Sequence, residues 1–442
     1  MNPVHSPDCF ADRQKDQDTG IGSRDTGREG DSRRQETENR PLSPPPVSPP
    51  ASPLPFSHLV SREPISNNCP GKTGLDAIIH VGKLADIGST ALKEMLLPHK
   101  FIRRKEMAEL KIGLVGTGAI GRTHIERINT RLQGGRVIAC ADVNKDFGKS
   151  IADKFGIRAF DTPEELIHDR EIEAVIVTAA DAWHAPFVLE AIKAGKPVFC
   201  EKPLSPTPEL CKEIVEAEVA GGKHLVQVGF MRRYDPGYGQ LKSLIESGKY
   251  GAPLVLHCCH HNYDDGGIGW KTPMSVENSM IHEIDCLRWL LGEDYAKVDV
   301  VFPRSSRNAG DCKDPQIMHL TTKSGTYIEV ESFVFSHYGY DVRCEIVCEE
   351  GVLNLPEPPY AMVRTNDARV TPICHDWSER FPEAYNIEFQ NWINASKEGR
   401  VDGPTAWDGY VAQIAAGCAS KARDTGVSVD IDITEMPEFY QK

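Results

Sequence analysis

The 442-residue chain has no apolar run near the ~18–20 residues a bilayer-spanning helix needs; its apolar stretches are short, such as Ala174–Ala180. That excludes a transmembrane helix. It also lacks a basic excess. With 50 Lys+Arg against 64 Asp+Glu, the formal net charge is −14, which argues against a nucleic-acid partner, since that would need a basic face. Thirteen cysteines are present, yet none forms a Cys-x-x-Cys and none joins a short His/Cys cluster spaced like a zinc site, so no metal is expected. The first twenty residues carry Asp8, Asp12, Asp16 and Asp18 and no apolar core. They match neither a secretory signal nor an acid-poor transit peptide. Free thiols in a reducing cytoplasm are therefore expected, with Cys258 and Cys259 buried on an apolar run.

The charge is unevenly placed. Residues 1–106 hold 15 Lys+Arg and 14 Asp+Glu, whereas residues 107–442 hold 35 and 50, so the acidity belongs to the second segment. From Pro41 to Phe56, eight of sixteen residues are proline. Such a stretch has little apolar surface to bury and reads as a disordered, polyproline-like extension or a ligand for proline-binding modules. Ala91–Leu97 collects helix formers before Pro98, and the basic cluster from His99 to Lys105 reads as a solvated linker or a localisation signal. Met107 stands just before the first strong strand signal, and a chain starting there is expected to keep full activity.

From Leu110 the pattern changes. Leu110–Val115 reads as a strand and runs into Gly116-Thr117-Gly118-Ala119-Ile120-Gly121, followed by a helix. This strand–glycine loop–helix order is what a dinucleotide site requires. Gly116 allows the tight turn, Gly118 lets a pyrophosphate approach the backbone, and Gly121 lets helix and strand pack. A second strand, Arg136–Ala141, ends at Asp142, 21 residues beyond Gly121. That carboxylate suits the ribose hydroxyls of NAD and would repel a 2′-phosphate. Val143 supplies no cation to hold one, so NAD is favoured over NADP. A surface carboxylate after a strand is the plainer reading. Strand and helix signals then alternate to Val228, which predicts a doubly wound parallel sheet with ligands at the strands' carboxyl ends. Lys202 lies at such an end, where it could hydrogen-bond a substrate oxygen or be a loop lysine; Pro203 after it suggests a fixed cis turn.

The glycine loop, Phe199-Cys200-Glu201-Lys202-Pro203 and Gly229-Phe230-Met231-Arg232-Arg233-Tyr234-Asp235 together resemble the Gfo/Idh/MocA oxidoreductase family. The resemblance runs from Lys111 to the C-terminus. Narrower motifs, among them Leu355-Pro356-Glu357-Pro358 and Gly403-Pro404-Thr405-Ala406-Trp407-Asp408-Gly409-Tyr410, resemble its inositol-oxidising branch. The resemblance implies an NAD-binding Rossmann domain over 107–232. It implies a second α+β domain over 233–442, with an open, mostly antiparallel sheet that builds a homotetramer. Strand patterns at Leu254–Asn262, Ile317–Thr322, Thr326–Phe333 and Asp341–Cys348 agree, as does a helical stripe over Thr405–Ala422.

Site roles also follow from the resemblance. Lys202 matches the catalytic lysine and His282 the catalytic histidine. Glu201 and Lys202 join the glycine loop, Asp142 and Val143 at the cofactor. Arg232 or Arg233, His260, Asn262, Ser279, Tyr340 and Tyr385 match the substrate pocket, though His260 could be a satisfied strand histidine. The implied reaction is NAD-dependent oxidation of a ring hydroxyl of myo-inositol or a related cyclic polyol, with His282 taking the proton. One position departs from the family: Asn278, four residues before His282, stands where the family has an aspartate. An asparagine cannot stabilise imidazolium by charge, so a less basic His282 is expected. Asp285 could compensate or could serve helix packing. The readings are thus an inositol dehydrogenase, a relative acting on another polyol or an aldose, or a weakly catalytic NAD-binding sensor.

Overall fold

The computed structural model describes residues 109–264 and 269–441. The proline-rich stretch, the Ala91–Leu97 helix signal, the basic cluster and Met107 lie outside them.

The first half alternates strictly: β1 Leu110–Val115, α1 Ala119–Arg131, β2 Gly135–Ala141, α2 Lys145–Phe155, β3 Arg158–Phe160, α3 Pro163–His168, β4 Ala174–Val177, α4 His184–Lys193, β5 Val198–Glu201, α5 Pro208–Gly221 and β6 Val226–Gly229. The strands are short apolar runs; β4 (Ala-Val-Ile-Val) is buried throughout, as a strand covered by helices on both faces must be. The helices begin where the sequence offers caps. Asn144 accepts from the Phe147 N–H, Thr162 from the Glu165 N–H and Thr207 from the Leu210 N–H. The six strands lie in the order β3-β2-β1-β4-β5-β6, all parallel. The order reverses between β1 and β4, and the crevice at that switch point is where such sheets bind ligands.

The second half starts with α6 Pro236–Glu246, capped by Asp235, and β7 Pro253–His261. A π-helical turn, Ser275–Met280, leads directly into α7 Ile281–Leu291. Then follow β8 Tyr295–Val301, β9 Gln316–Thr322, β10 Tyr327–Phe333, β11 Asp341–Cys348, β12 Gly351–Asn354 and a small hairpin, β13 Val363–Thr365 with β14 Ala368–Val370. Helices α8 Trp377–Arg380, α9 Pro382–Lys397 and α10 Ala406–Thr425 and strand β15 Val429–Asp430 complete it. The seven strands order as β12-β11-β7-β10-β9-β8-β15; only the β7–β10 pair is parallel. The expected open, mostly antiparallel sheet is present.

Helix α10 ties the halves together. A capping box of Thr405 and Asp408 starts it, and it packs against both α5 and β8. The expected stripe is core: Trp407, Tyr410, Val411 and Ala415 are buried. The eleven described cysteines are free, Cys258 and Cys259 buried among them. Among the described residues, no helix is long and apolar enough to cross a membrane.

Candidate active site

A cleft of about 540 Å³ opens at the carboxyl ends of the parallel strands, faced across the gap by the β7–α7 side of the second sheet. The glycine loop lies at its cofactor end. Gly116 has φ +93°, and a Cβ there would come 2.5 Å from the Ala179 nitrogen. At Gly121 a Cβ would meet the Gly116 oxygen at 2.2 Å. Gly118 differs, because the space a Cβ would fill is open, which leaves room for a phosphate against the backbone. No side chain caps the start of α1 and its first turn holds no acid, so its N–H groups remain available to an anion. Asp142 closes the loop: Oδ2 accepts from the Thr117 N–H and hydroxyl, each at 2.7 Å, and Oδ1 from the Asn144 N–H at 2.9 Å. Val143 is 91% exposed, and Lys145 pairs with Asp161. Ala119 begins α1, and Ile120 reaches the cleft. These residues fit NAD, with a diphosphate cradle beside a carboxylate.

Glu201 belongs to a buried knot for which the sequence has no motif. Its Oε1 accepts from His124 Nε2 at 2.8 Å, while Arg127 donates to His124 Nδ1 at 2.8 Å. That pairing is satisfied by a neutral imidazole with its hydrogen on Nε2. Burial lowers the His124 pKa accordingly. Burial alone would raise the Glu201 carboxyl, but the His124 hydrogen bond and the Lys202 charge bring it below its ordinary value.

Lys202 projects from the end of β5 into the cleft, followed by Pro203 in a cis peptide. Its ammonium donates to the Asn278 backbone oxygen at 3.1 Å and to Asn278 Oδ1 at 3.0 Å. Asn278 stands on the π-helical turn and His282 on the first turn of α7, and both face the cleft. The asparagine is therefore committed to the lysine. His282 is 8% exposed, and its Nδ1 is buried without a hydrogen-bond partner. Burial, then the positive charges of Lys202 and Arg232, hold its pKa well below the ordinary histidine value. Burial also lowers Lys202, against the pull of Glu201 and Asp181.

His260, Asn262, Ser279, Tyr340 and Tyr385 all line the same cleft. Asn262 donates to Ser279 Oγ at 3.1 Å. His260 has both ring nitrogens engaged: Nδ1 lies 3.1 Å from Glu283 Oε2, and Nε2 faces the Tyr340 hydroxyl at 3.2 Å. Arg232 does not reach the cleft. It is 1% exposed and hydrogen-bonds Glu283 beneath His260. Arg233 pairs with Asp285 and with Asp408, and Arg288 joins Asp408 at 3.0 Å. Asp285 is thus spent on packing and gives His282 no support. Its own pKa is pushed up to about 6 by burial, partly offset by Arg233. The sequence carries no local mark for Glu283, nor for the outer wall, where the Tyr263 and His375 rings lie 4.9 Å apart beside Trp377. The wall comes from loops and the one-turn helix α8, which carry no periodic signal.

The comparisons with known proteins agree with this geometry. A model described as "Oxidoreductase family, NAD-binding Rossmann fold" matches residues 110–230, and one for the GFO/IDH/MocA C-terminal domain matches residues 238–354. Inositol 2-dehydrogenases of Serratia proteamaculans (strain 568) and Klebsiella pneumoniae subsp. pneumoniae are 48% and 46% identical over 336 residues, which is 75% of this chain and 99% of each relative. The crystal structure of myo-inositol dehydrogenase from Lactobacillus casei in complex with NAD(H) and myo-inositol superposes with a TM-score of 0.73 at 37% identity, covering 75% of this chain and all of that one. With both of its halves matched and its loop and sheet order in agreement, the chain belongs to the Gfo/Idh/MocA family of NAD-binding oxidoreductases.

Proposed function

We propose that the protein oxidises a ring hydroxyl of myo-inositol, or of a closely related cyclic polyol, to the ketone. The observation that carries this reading is the pairing, in one cleft, of a buried neutral histidine with a lysine whose ammonium is anchored on one side only. Two N–H groups of Lys202 are taken by Asn278, which leaves the third for a substrate oxygen. His282, kept neutral by burial, accepts the hydroxyl proton. Lys202 steadies the oxygen as it becomes a carbonyl. Asn262, Ser279, Tyr340 and Tyr385 offer convergent groups for the remaining hydroxyls, with His260 holding the Tyr340 hydroxyl from behind. Bound NAD supplies the hydride acceptor, seated on the glycine loop and Asp142. Arg232 would act from below, through His260 and Glu283.

The test is a panel of inositol isomers, other polyols and aldoses with NAD and NADP, following NADH or NADPH formation. Turnover is expected with myo-inositol and NAD. Tight NAD binding without turnover of any substrate would replace this reading with the sensor. Asn278 favours a shifted substrate preference within the same chemistry. The same reading takes the protein as cytoplasmic, in keeping with its free thiols. It also takes it as a homotetramer built through the open sheet, whose outer face displays Val301 and Tyr327; the mass in solution tests this.

Asn278→Asp isolates the departure from the family. A carboxylate beside Lys202 and His282 stabilises the protonated imidazole and raises its pKa. A base that protonates more readily is lost at higher pH. The acid limb of kcat/KM should therefore move upward by about one unit or more. An unchanged pH profile would mean that residue 278 does not govern the base.

A further inference from the structure

His184, the first residue of α4, is 1% exposed and lines the inner end of the cleft. Its Nδ1 lies 2.6 Å from the Pro203 carbonyl oxygen and its Nε2 lies 3.0 Å from the Ala179 carbonyl oxygen. Both partners can only accept, so the ring meets both by presenting N–H at each nitrogen. The two carbonyls belong to the loops that leave β4 and β5, neighbouring strands of the parallel sheet. The Pro203 loop carries Lys202. The Ala179 loop packs on the glycine loop: the Thr178 hydroxyl donates to the Gly116 oxygen at 2.6 Å, and Ala179 is the backbone that forbids a Cβ at Gly116. One imidazole thus links the cofactor cradle to the lysine.

We propose that His184 is a positioning residue that sets the distance between the cofactor cradle and Lys202, with both ring nitrogens acting as donors. The inference rests on the proposed oxidation for its kinetic arm alone; its binding and spectroscopic arms stand without it.

The experiment uses the full chain with His184→Ala and His184→Gln. Loosening both loops should weaken NAD binding about tenfold and lower kcat about 30-fold in the alanine variant, with KM for the polyol within about twofold, since small misplacements of catalytic groups are costly. His184→Gln, whose carboxamide carries its N–H donors on a single nitrogen, should fall between wild type and alanine. In ¹⁵N-histidine spectra of the NAD-bound wild type, the resonance that His184→Gln removes should show hydrogen on both ring nitrogens. A glutamine variant equal to wild type, or a His184 ring with one bare nitrogen, would overturn the two-donor link. Variants that lose only thermal stability, with NAD affinity and kcat unchanged, would reduce His184 to a packing residue. If the wild type oxidises no polyol, the NAD affinities and spectra still decide the matter, so that failure is separable from this one.

Discussion

Lys202→Met should lower kcat for polyol oxidation by about a thousandfold, on the order expected when one preorganised donor to a developing oxygen charge is removed. NAD affinity should stay within a few-fold. Methionine keeps the apolar stem of the side chain and loses the ammonium. The contacts of the cofactor cradle, from Gly116 to Asp142, do not involve that ammonium. The two bonds to Asn278 vanish as well, but they join the loop that leaves β5 to a helical turn and hold no part of either sheet. Steady-state kinetics together with NAD binding by fluorescence separates the two effects. A kcat within about tenfold of wild type would show that the oxygen is stabilised elsewhere in the cleft.

The sequence reveals some parts of this site far better than others. Asp142 and the glycine loop are readable because a dinucleotide fold fixes backbone geometry over consecutive residues, and glycine is the only residue that fits at Gly116 and Gly121. The parallel strands are readable because burial on both faces makes them continuous apolar runs. Helix α9 also carries a local signal. Tyr385, Phe389, Trp392 and Ile393 fall at helical spacing behind Pro382, and they put Tyr385 into the cleft. His124 and Glu283 are of another kind. His124 meets Glu201 across 77 positions of chain, and Glu283 meets Arg232 across 51. Nothing local marks either pair. Their meaning comes from tertiary placement, where a buried charge is tolerated only beside a partner. Asn278 lies between these extremes. Its position relative to His282 was legible, but its partner was not, since only the fold brings the end of β5 to the π-helical turn.

His282→Gln should lower kcat by about a hundred- to a thousandfold, within the range of general-base contributions, and should remove the acid limb of the pH profile. The structure explains why the loss should not be larger. A histidine base is strongest when a carboxylate receives the hydrogen on its far nitrogen. Here Nδ1 has no partner, the nearest acids on the helix, Glu283 and Asp285, are held by Arg232 and Arg233, and residue 278 is neutral. Lys202 and Arg232 add positive charge that disfavours imidazolium. The ring is therefore a weak base that stays deprotonated to low pH, so wild-type oxidation should persist well below pH 6.5, the usual histidine midpoint. Substrate and NAD should bind the glutamine variant nearly as before, with KM within a few-fold, because glutamine can still hydrogen-bond a hydroxyl. If the acid limb survives in His282→Gln, the proton acceptor is another cleft group. Lys202, whose pKa burial also lowers, is then the residue to which the limb should be traced, by measuring the same profile in a Lys202→Arg background, where the side chain stays charged throughout.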